Sequence, residues 1–302
     1  MSNSEKYILS IDLGGHNLRT ALVNQKGEIF HSSMIRTQLD RMPDSVISQV
    51  TQVCKDLIQT HQKEFPILGV GLGIPGFIIP ETGSIFSSPN FPFWKNVPIQ
   101  DELSKNLSLP VAVDNDANCA AFGGYWKDNP RKYKNFIMIT IGTGVGGGVI
   151  ADGRIIRGAR GAGSEIGHMQ IDPNGEVCGC GALGCLETFI SGTALEKHTG
   201  KKAKILYQEA LDGSAQAKEV FNQMGHALGR ALSTLCYLFD PDVISIGGRV
   251  SQAFDFFAPA AREEIKKNLP KHPAQNVTIE QSGCWDNAGI LGAAKMAFDS
   301  LL

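Results

Sequence analysis

Between Glu165 and Glu187 the chain reads E-I-G-H-M-Q-I-D-P-N-G-E-V-C-G-C-G-A-L-G-C-L-E, placing one imidazole and three thiols between two carboxylates. His168, Cys178, Cys180 and Cys185 have the spacing of a closed tetrahedral zinc site of the Cys3His type, which holds structure and leaves no open position for catalysis. Gly179, Gly181 and Gly184 let a short loop turn tightly around one point. The competing reading is three cysteines buried as small apolar residues. C-x-C-x4-C with a histidine ten residues upstream is more ordered than scattered cysteines. Glu165 and Glu187 would then stand on backbone that a metal fixes, a good place to bind something polar.

Two glycine-rich turns follow apolar runs. Tyr7 to Ile11 leads into Asp12-Leu13-Gly14-Gly15, and Phe136 to Ile141 leads into Gly142-Thr143-Gly144-Val145-Gly146-Gly147-Gly148. Backbone N–H groups with no side chain in the way can cradle phosphate oxygens. Neither turn fits G-x-x-x-x-G-K-[ST], and neither is a G-x-G-x-x-G that opens a helix, which disfavours P-loop and dinucleotide folds. One such turn marks only a tight bend; two at corresponding positions point to a bound polyphosphate. Between them lies Asp114-Asn115-Asp116-Ala117-Asn118. A carboxylate at a strand end could take the proton from an alcohol attacking a phosphoryl group. It could equally cap the helix starting near Ala117. Carboxylates and amides converging on a cleft suit the many hydroxyls of a sugar.

These groups need a scaffold, and the hydrophobic pattern supplies one. Strands are expected at 7–11, 20–23, 29–30, 67–72 and 110–113, the fourth running into Gly73-Ile74-Pro75-Gly76. Val46, Val50, Val53, Leu57 and Ile58 predict an amphipathic helix over 44–61, and a short helix is expected at 101–106. A similar plan begins again: strands at 136–141, 149–150 and 155–156, a helix over 217–238, a strand at 243–246 ending in Gly247-Gly248, then helices over 258–268 and 287–301. The polar turns ending near Gly27 and Gly153 are offset by about 126 positions in the same order of elements, which reads as an internal duplication. Any two α/β halves would share much of this pattern. The expected architecture is α/β, with two domains facing each other across a cleft. Their expected bounds are 1–118 with 287–302, and 119–286.

Composition narrows the class. A chain of 302 residues has room for two domains; 42% hydrophobic and 19% charged residues describe a globular protein, and a net charge of −2 gives no electrostatic reason to expect nucleic acid. Cys54, Cys119, Cys236 and Cys284 lie in apolar or mixed surroundings and read mostly as buried thiols. No signal peptide or membrane-spanning run is apparent, so a reducing cytoplasm is the expected compartment.

From Ile8 to about Ala297 the chain resembles the ROK sugar kinases (repressor, open reading frame, kinase) of the actin-like ATPase and hexokinase superfamily. The most specific part is Glu165-Ile166-Gly167-His168 followed by Cys178-Gly-Cys180-Gly-Ala-Leu-Gly-Cys185-Leu-Glu187. The resemblance implies two actin-like (RNase H-like) domains with a zinc-bound loop, held by His168, Cys178, Cys180 and Cys185. It implies that Asp116 is the catalytic base, and that Asn115, Glu165, His168 and Glu187, with the Gly76 backbone nearby, bind the sugar. Asp12, Gly14, Gly15, Gly142, Thr143 and Gly144 match the phosphate loops, and Gly247-Gly248 the nucleotide-side turn.

Further implications are ATP with magnesium, a cleft that closes on the sugar, and a homo-oligomer, dimer or tetramer, with no nucleic acid or membrane partner. Glucose is the first choice of hexose, with fructose, mannose, N-acetylglucosamine and N-acetylmannosamine as alternatives. One departure stands out: His16-Asn17 replaces the usual Thr-Lys, although backbone amides do most of the holding. A sugar-binding sensor without turnover is the rival motivated by that departure. A sugar-responsive repressor is another, but with the first strand at residue 7 no winged helix is expected ahead of it.

Overall fold

The computed structural model describes residues 5–128 and 133–301. Strands β1 (Tyr7–Leu13), β2 (Asn17–Asn24) and β3 (Ile29–Arg36) lead into helix α1 (Pro43–His61) and β4 (Ile67–Ile74). Short strands β5 (Phe77–Ile79), β6 (Ser84–Ser87) and β7 (Lys95–Val97) precede α2 (Ile99–Leu107), β8 (Val111–Asn115) and α3 (Asp116–Lys127). The series continues with β9 (Phe136–Ile141), β10 (Val145–Ala151), β11 (Arg154–Ile155), α4 (Glu187–Ile190), α5 (Gly192–Thr199), α6 (Ala203–Leu211) and α7 (Ala215–Phe239). It ends with β12 (Val243–Gly247), α8 (Phe254–Asn268), β13 (Thr278–Gln281) and α9 (Ala288–Leu301).

The strands build two five-stranded sheets of one plan, β3-β2-β1-β4-β8 and β11-β10-β9-β12-β13. In each, an antiparallel meander is followed by two strands parallel to its first member. This shared order and direction is the duplication that the two polar turns suggested. Apolar runs fill the middle of each sheet because its central strands are covered on both faces, as in β1, where Ile8, Leu9 and Ile11 are fully buried. A third, small antiparallel sheet, β5-β6-β7, was not expected from sequence. Its strands have three, four and three residues, too few for a period to show.

The chain forms two compact units: residues 5–128, 157–163 and 287–301 make one, and 133–156 with 164–286 the other. A division at 118 would cut α3, which instead packs along α9 within the first unit. The packing is close because the contact is made by glycine: a side chain at Gly292 would run into the Cys119 carbonyl, and one at Gly123 into the Ala288 carbonyl. In that unit Val46, Val50 and Cys54 of α1 are buried with β1, β2 and β4, and Val53, Leu57 and Ile58 pack partly exposed beside them. The second unit has its own core, centred on α7, α8 and the faces of β9 and β12. Cys54, Cys119 and Cys236 are buried and Cys284 half-buried. Among the described residues no helix is long and apolar enough to cross a membrane. Gly292→Ala is expected to push α3 and α9 apart and lower stability by about 3 kcal/mol, the upper end of overpacking costs; an unchanged denaturant midpoint would contradict this packing.

Candidate active site

In the first unit, pairing sets Asp12 beside Gly73 and Gly73 beside Asp114, so the carboxyl ends of β1, β4 and β8 finish in line. Asp12 is half-buried, and loss of water pushes its carboxyl above the usual range while Arg19, opposite it on β2, opposes the shift. Arg19 Nη2 also donates to Asn287 Oδ1 at 2.8 Å. The following turn is held by main chain. Gly14 N–H donates to the Asn17 carbonyl at 2.8 Å, the Thr37 hydroxyl to the Gly14 carbonyl at 2.8 Å, and Thr37 N–H to the His16 carbonyl at 3.0 Å. His16-Asn17 therefore changes the side chains presented by this turn, and the bonds that shape it do not use them. Gly15 lies against the Asn90 amide, where a Cβ would come within 3.2 Å of Nδ2.

At the end of β8 the helix cap is Asn115. Its Oδ1 accepts from Ala117 N–H at 2.8 Å and Asn118 N–H at 3.2 Å, and its Nδ2 donates to the Gly76 carbonyl at 3.1 Å. Gly76 has φ 133°, and a side chain there would meet the Ser87 carbonyl at 2.6 Å. Asp116 follows as the first residue of α3, half-buried, with Oδ1 also 2.9 Å from Ala117 N–H. The capping role open to the acidic residues is thus filled by the amide between them. Asp114 is buried, its Oδ1 accepting from Asn115 N–H at 2.8 Å and Asn118 Nδ2 at 2.9 Å. The Cys119 thiol below is pushed well above its ordinary pKa by burial and then by the charges of Asp114, Asp116 and Asp12, with Arg157 opposing. Asp12 and the Asp114–Asp116 turn therefore form one acidic cluster.

In the second unit, Gly142-Thr143-Gly144 joins β9 to β10. Gly142 N–H donates to the Gly144 carbonyl at 2.9 Å. The start of α5 braces the loop from behind: Gly192 N–H donates to the Gly142 carbonyl at 2.7 Å, and the Thr193 hydroxyl to the Thr143 carbonyl at 2.8 Å. A Cβ built at Gly142 would have nothing within 4 Å, so that face is open to a ligand. Gly247 ends β12 next to Thr140 of β9, and Gly248, with φ 80°, lies against the Ile141 backbone where a side chain would collide. The Gly248 turn thus sits at the base of the Gly142 loop.

The same unit gathers His168, Cys178, Cys180 and Cys185, with their ligand atoms all within 4.8 Å of one another. Zn–S bonds of about 2.3 Å imply a tetrahedral edge near ~3.8 Å; Cys180 and Cys185 Sγ are 3.7 Å apart, and Cys178 Sγ is 3.6 Å from His168 Nδ1. Short bridges fold the loop this tightly, Gln170 with Cys185 and Val177 with Leu183. The Cys180 thiol is pushed down by the Ala182 N–H, while burial pushes Cys185 up to about 12. These four residues fit a structural zinc ion. Glu187 links the loop to the glycine turn at 142–144: its Oε2 accepts from Val145 N–H at 2.7 Å and its Oε1 lies 3.7 Å from Cys178 Sγ. Glu165 keeps an exposed surface, yet surrounding protein desolvates its carboxyl enough to push its pKa up; Glu187 adds to the rise and His168 opposes it.

The expected site residues thus fall into two sets. Asp12, Gly14, Gly15, Gly76, Asn115 and Asp116 lie in the first unit; Gly142, Thr143, Gly144, Glu165, His168, Glu187, Gly247, Gly248 and the cysteines lie in the second. Sequence reading missed Arg157, whose Nε is 2.7 Å from Asp114 Oδ2, and the bracing residues Gly192 and Thr193. Their partners lie 43 to 50 positions away, where no local pattern reports a contact.

The family model of the ROK family matches residues 8–300. A glucokinase of Thermotoga maritima is 31% identical, over 96% of this chain and 96% of that protein. The crystal structure of a ROK family glucokinase from Streptomyces griseus in complex with glucose and AMPPNP superposes with a TM-score of 0.83 at 26% identity, covering 97% of this chain and 100% of that one. A ROK family transcriptional regulator, a homolog of the E. coli MLC protein, superposes with a TM-score of 0.90 at 28% identity, covering 100% of this chain and 81% of that one. The two matched sheets are the two actin-like domains of this fold. With a family match spanning nearly its whole length, the chain belongs to the ROK family.

Proposed function

We propose that this protein is an ATP-dependent sugar kinase that phosphorylates the 6-hydroxyl of a hexose, with glucose as the first substrate. The observation that carries this reading is the turn at the end of β8. Asn115 supplies the helix cap and is tied to Gly76, so Asp116 is set at the strand end as a carboxylate that the cap does not require. Kinship with sugar kinases, including one solved with glucose and an ATP analogue, supports the choice of reaction.

In the proposed reaction Asp116 takes the proton of the hexose 6-hydroxyl as that oxygen bonds to the γ-phosphorus of ATP, the bond to the β-phosphate oxygen breaks, and ADP leaves. Asp12, Gly14 and Gly15, with Gly142, Thr143 and Gly144, would hold the phosphates, and Gly247-Gly248 the nucleotide side. Magnesium bound with ATP supplies the neutralising charge. Asn115, Glu165, His168 and Glu187, beside the Gly76 backbone, would take the other hydroxyls; carboxylates accept and the amide can do both. Zinc would hold His168, Cys178, Cys180 and Cys185, fixing the loop that carries the two glutamates. ATP and reduced thiols fit a cytoplasmic protein, and a homo-oligomer is the assembly we propose.

A sugar-binding sensor without turnover is the second reading, favoured by His16-Asn17 and by the fit to the transcriptional regulator. Sugar-dependent ADP release separates the two: a kinase shows it and a sensor does not.

Three outcomes are expected. Purified protein should carry about one zinc per chain, and Cys180→Ala should lose the metal and loosen the loop, because a structural zinc contributes roughly 10 kcal/mol or more to folding its ligands; active protein without stoichiometric zinc would sink this. Asp116→Asn should lower turnover at least about 10²-fold while sugar still binds; near-normal turnover would require another base. Glucose should be a better substrate than 2-deoxyglucose, with Glu187→Gln narrowing the gap, since a fixed acceptor left without its donor costs more than the bond contributed. Equal catalytic efficiency for the two sugars would contradict that role of Glu187; a clear preference for N-acetylglucosamine would overturn the choice of glucose and leave the kinase reading standing.

A further inference from the structure

We infer that Arg157 is a positioning residue for phosphoryl transfer, holding the Asp114 carboxylate and through it the turn that presents Asp116. The inference rests on the kinase reading. Asp114 is 2% exposed, and a carboxylate buried that deeply is costly unless paired and hydrogen-bonded. Its two oxygens divide the work. Oδ2 accepts from Arg157 Nε at 2.7 Å, a charge-assisted bond, while Oδ1 accepts from the Asn115 main chain and the Asn118 side chain. Asn115 is the cap of α3 and Asn118 lies buried in its first turn. Asp114 thus grips the turn on both sides of Asp116.

Arg157 is itself held from two directions. Its guanidinium carbon lies 5.9 Å from the centroid of the Phe122 ring, on α3, within range of a cation–π contact. Its carbonyl accepts from Gly163 N–H at 2.8 Å, closing the segment 157–163, and Gly161 in that segment is pressed against the Ile78 carbonyl. Only glycine fits there, so the segment cannot slide along the first unit. Arg157 spans β8 and α3, the two elements that meet at Asn115-Asp116.

Charge gives the arginine a second effect. Asp12, Asp114 and Asp116 surround Cys119, and Arg157 is the cation that acts against them there, while Arg19 faces Asp12. Without Arg157, the buried Asp114 carboxylate beside Asp116 would be left without its cation, a cost that loosens the turn carrying the base.

The test measures sugar-dependent ADP release in the wild type, which judges the kinase reading by itself, and then in R157K, R157M and the double variant D114N/R157M. For R157M we expect kcat to fall by about 10²-fold, the effect of a small misplacement of a reacting group. KM for the sugar should change only a few-fold. R157K should recover part of kcat. The double variant buries no unpaired charge; it should fold and still turn over slowly. An active wild type with R157M matching its kcat overturns the inference. So does a double variant with wild-type kcat, which decides the matter even if R157M fails to fold.

Discussion

Parallel pairing of β1 with β4 and of β4 with β8 brings three strand ends to one edge, and everything proposed for the first unit hangs on that register. Side chains alternate along a strand, so a slip of one residue would turn Asp12 and Asp114 into the opposite face of the sheet. The strands hold their register because both faces are packed, by α1 on one side and by α3 and α9 on the other. The second sheet repeats the plan with different cargo. At its corresponding edge stand a glycine loop and a glycine turn, where backbone, and not a carboxylate, is offered.

The loop of His168 and the three cysteines works on a smaller scale. Val177 and Leu183 of the loop are exposed, and its four ligand atoms gathered within 4.8 Å are compatible with a tetrahedral ion that would tie it together. Glu187 extends the rigidity outward, because the carboxylate that follows the last cysteine also accepts from Val145 N–H at the end of the glycine loop. Gly144 makes room for that carboxylate; any side chain there would collide with it. The Cys3His cluster and the glycine loop of the same unit are thereby joined through a single side chain.

Much of this was legible in the sequence. The central strands and the long helices declared themselves through apolar runs and helical spacing, and the cysteine spacing singled out four side chains that the structure gathers within 4.8 Å. By residue type Asp114 and Asp116 could each have been a cap, and only the family resemblance singled out Asp116; the cap is Asn115. What stayed hidden depends on contacts distant in sequence: Arg157 on Asp114, α5 behind Thr143, and α3 against α9. The β5-β6-β7 sheet stayed hidden because its strands are too short to carry a pattern. The boundary at 118 failed to anticipate α3's partner for the same reason, for nothing near residue 118 announces a helix 170 residues later.

That late helix bears on how the chain comes to be folded as it is made. α9 covers β1 and β4, and the Ser10 hydroxyl, in the middle of β1, donates to the Ile290 carbonyl. On that face the sheet synthesised first has only α3 until α9 follows the rest of the second unit. Domains that are continuous in sequence fold as they leave the ribosome, N-terminal first. Here the order is inverted: the second unit has all its strands and helices before α9 appears, and the N-terminal sheet closes last.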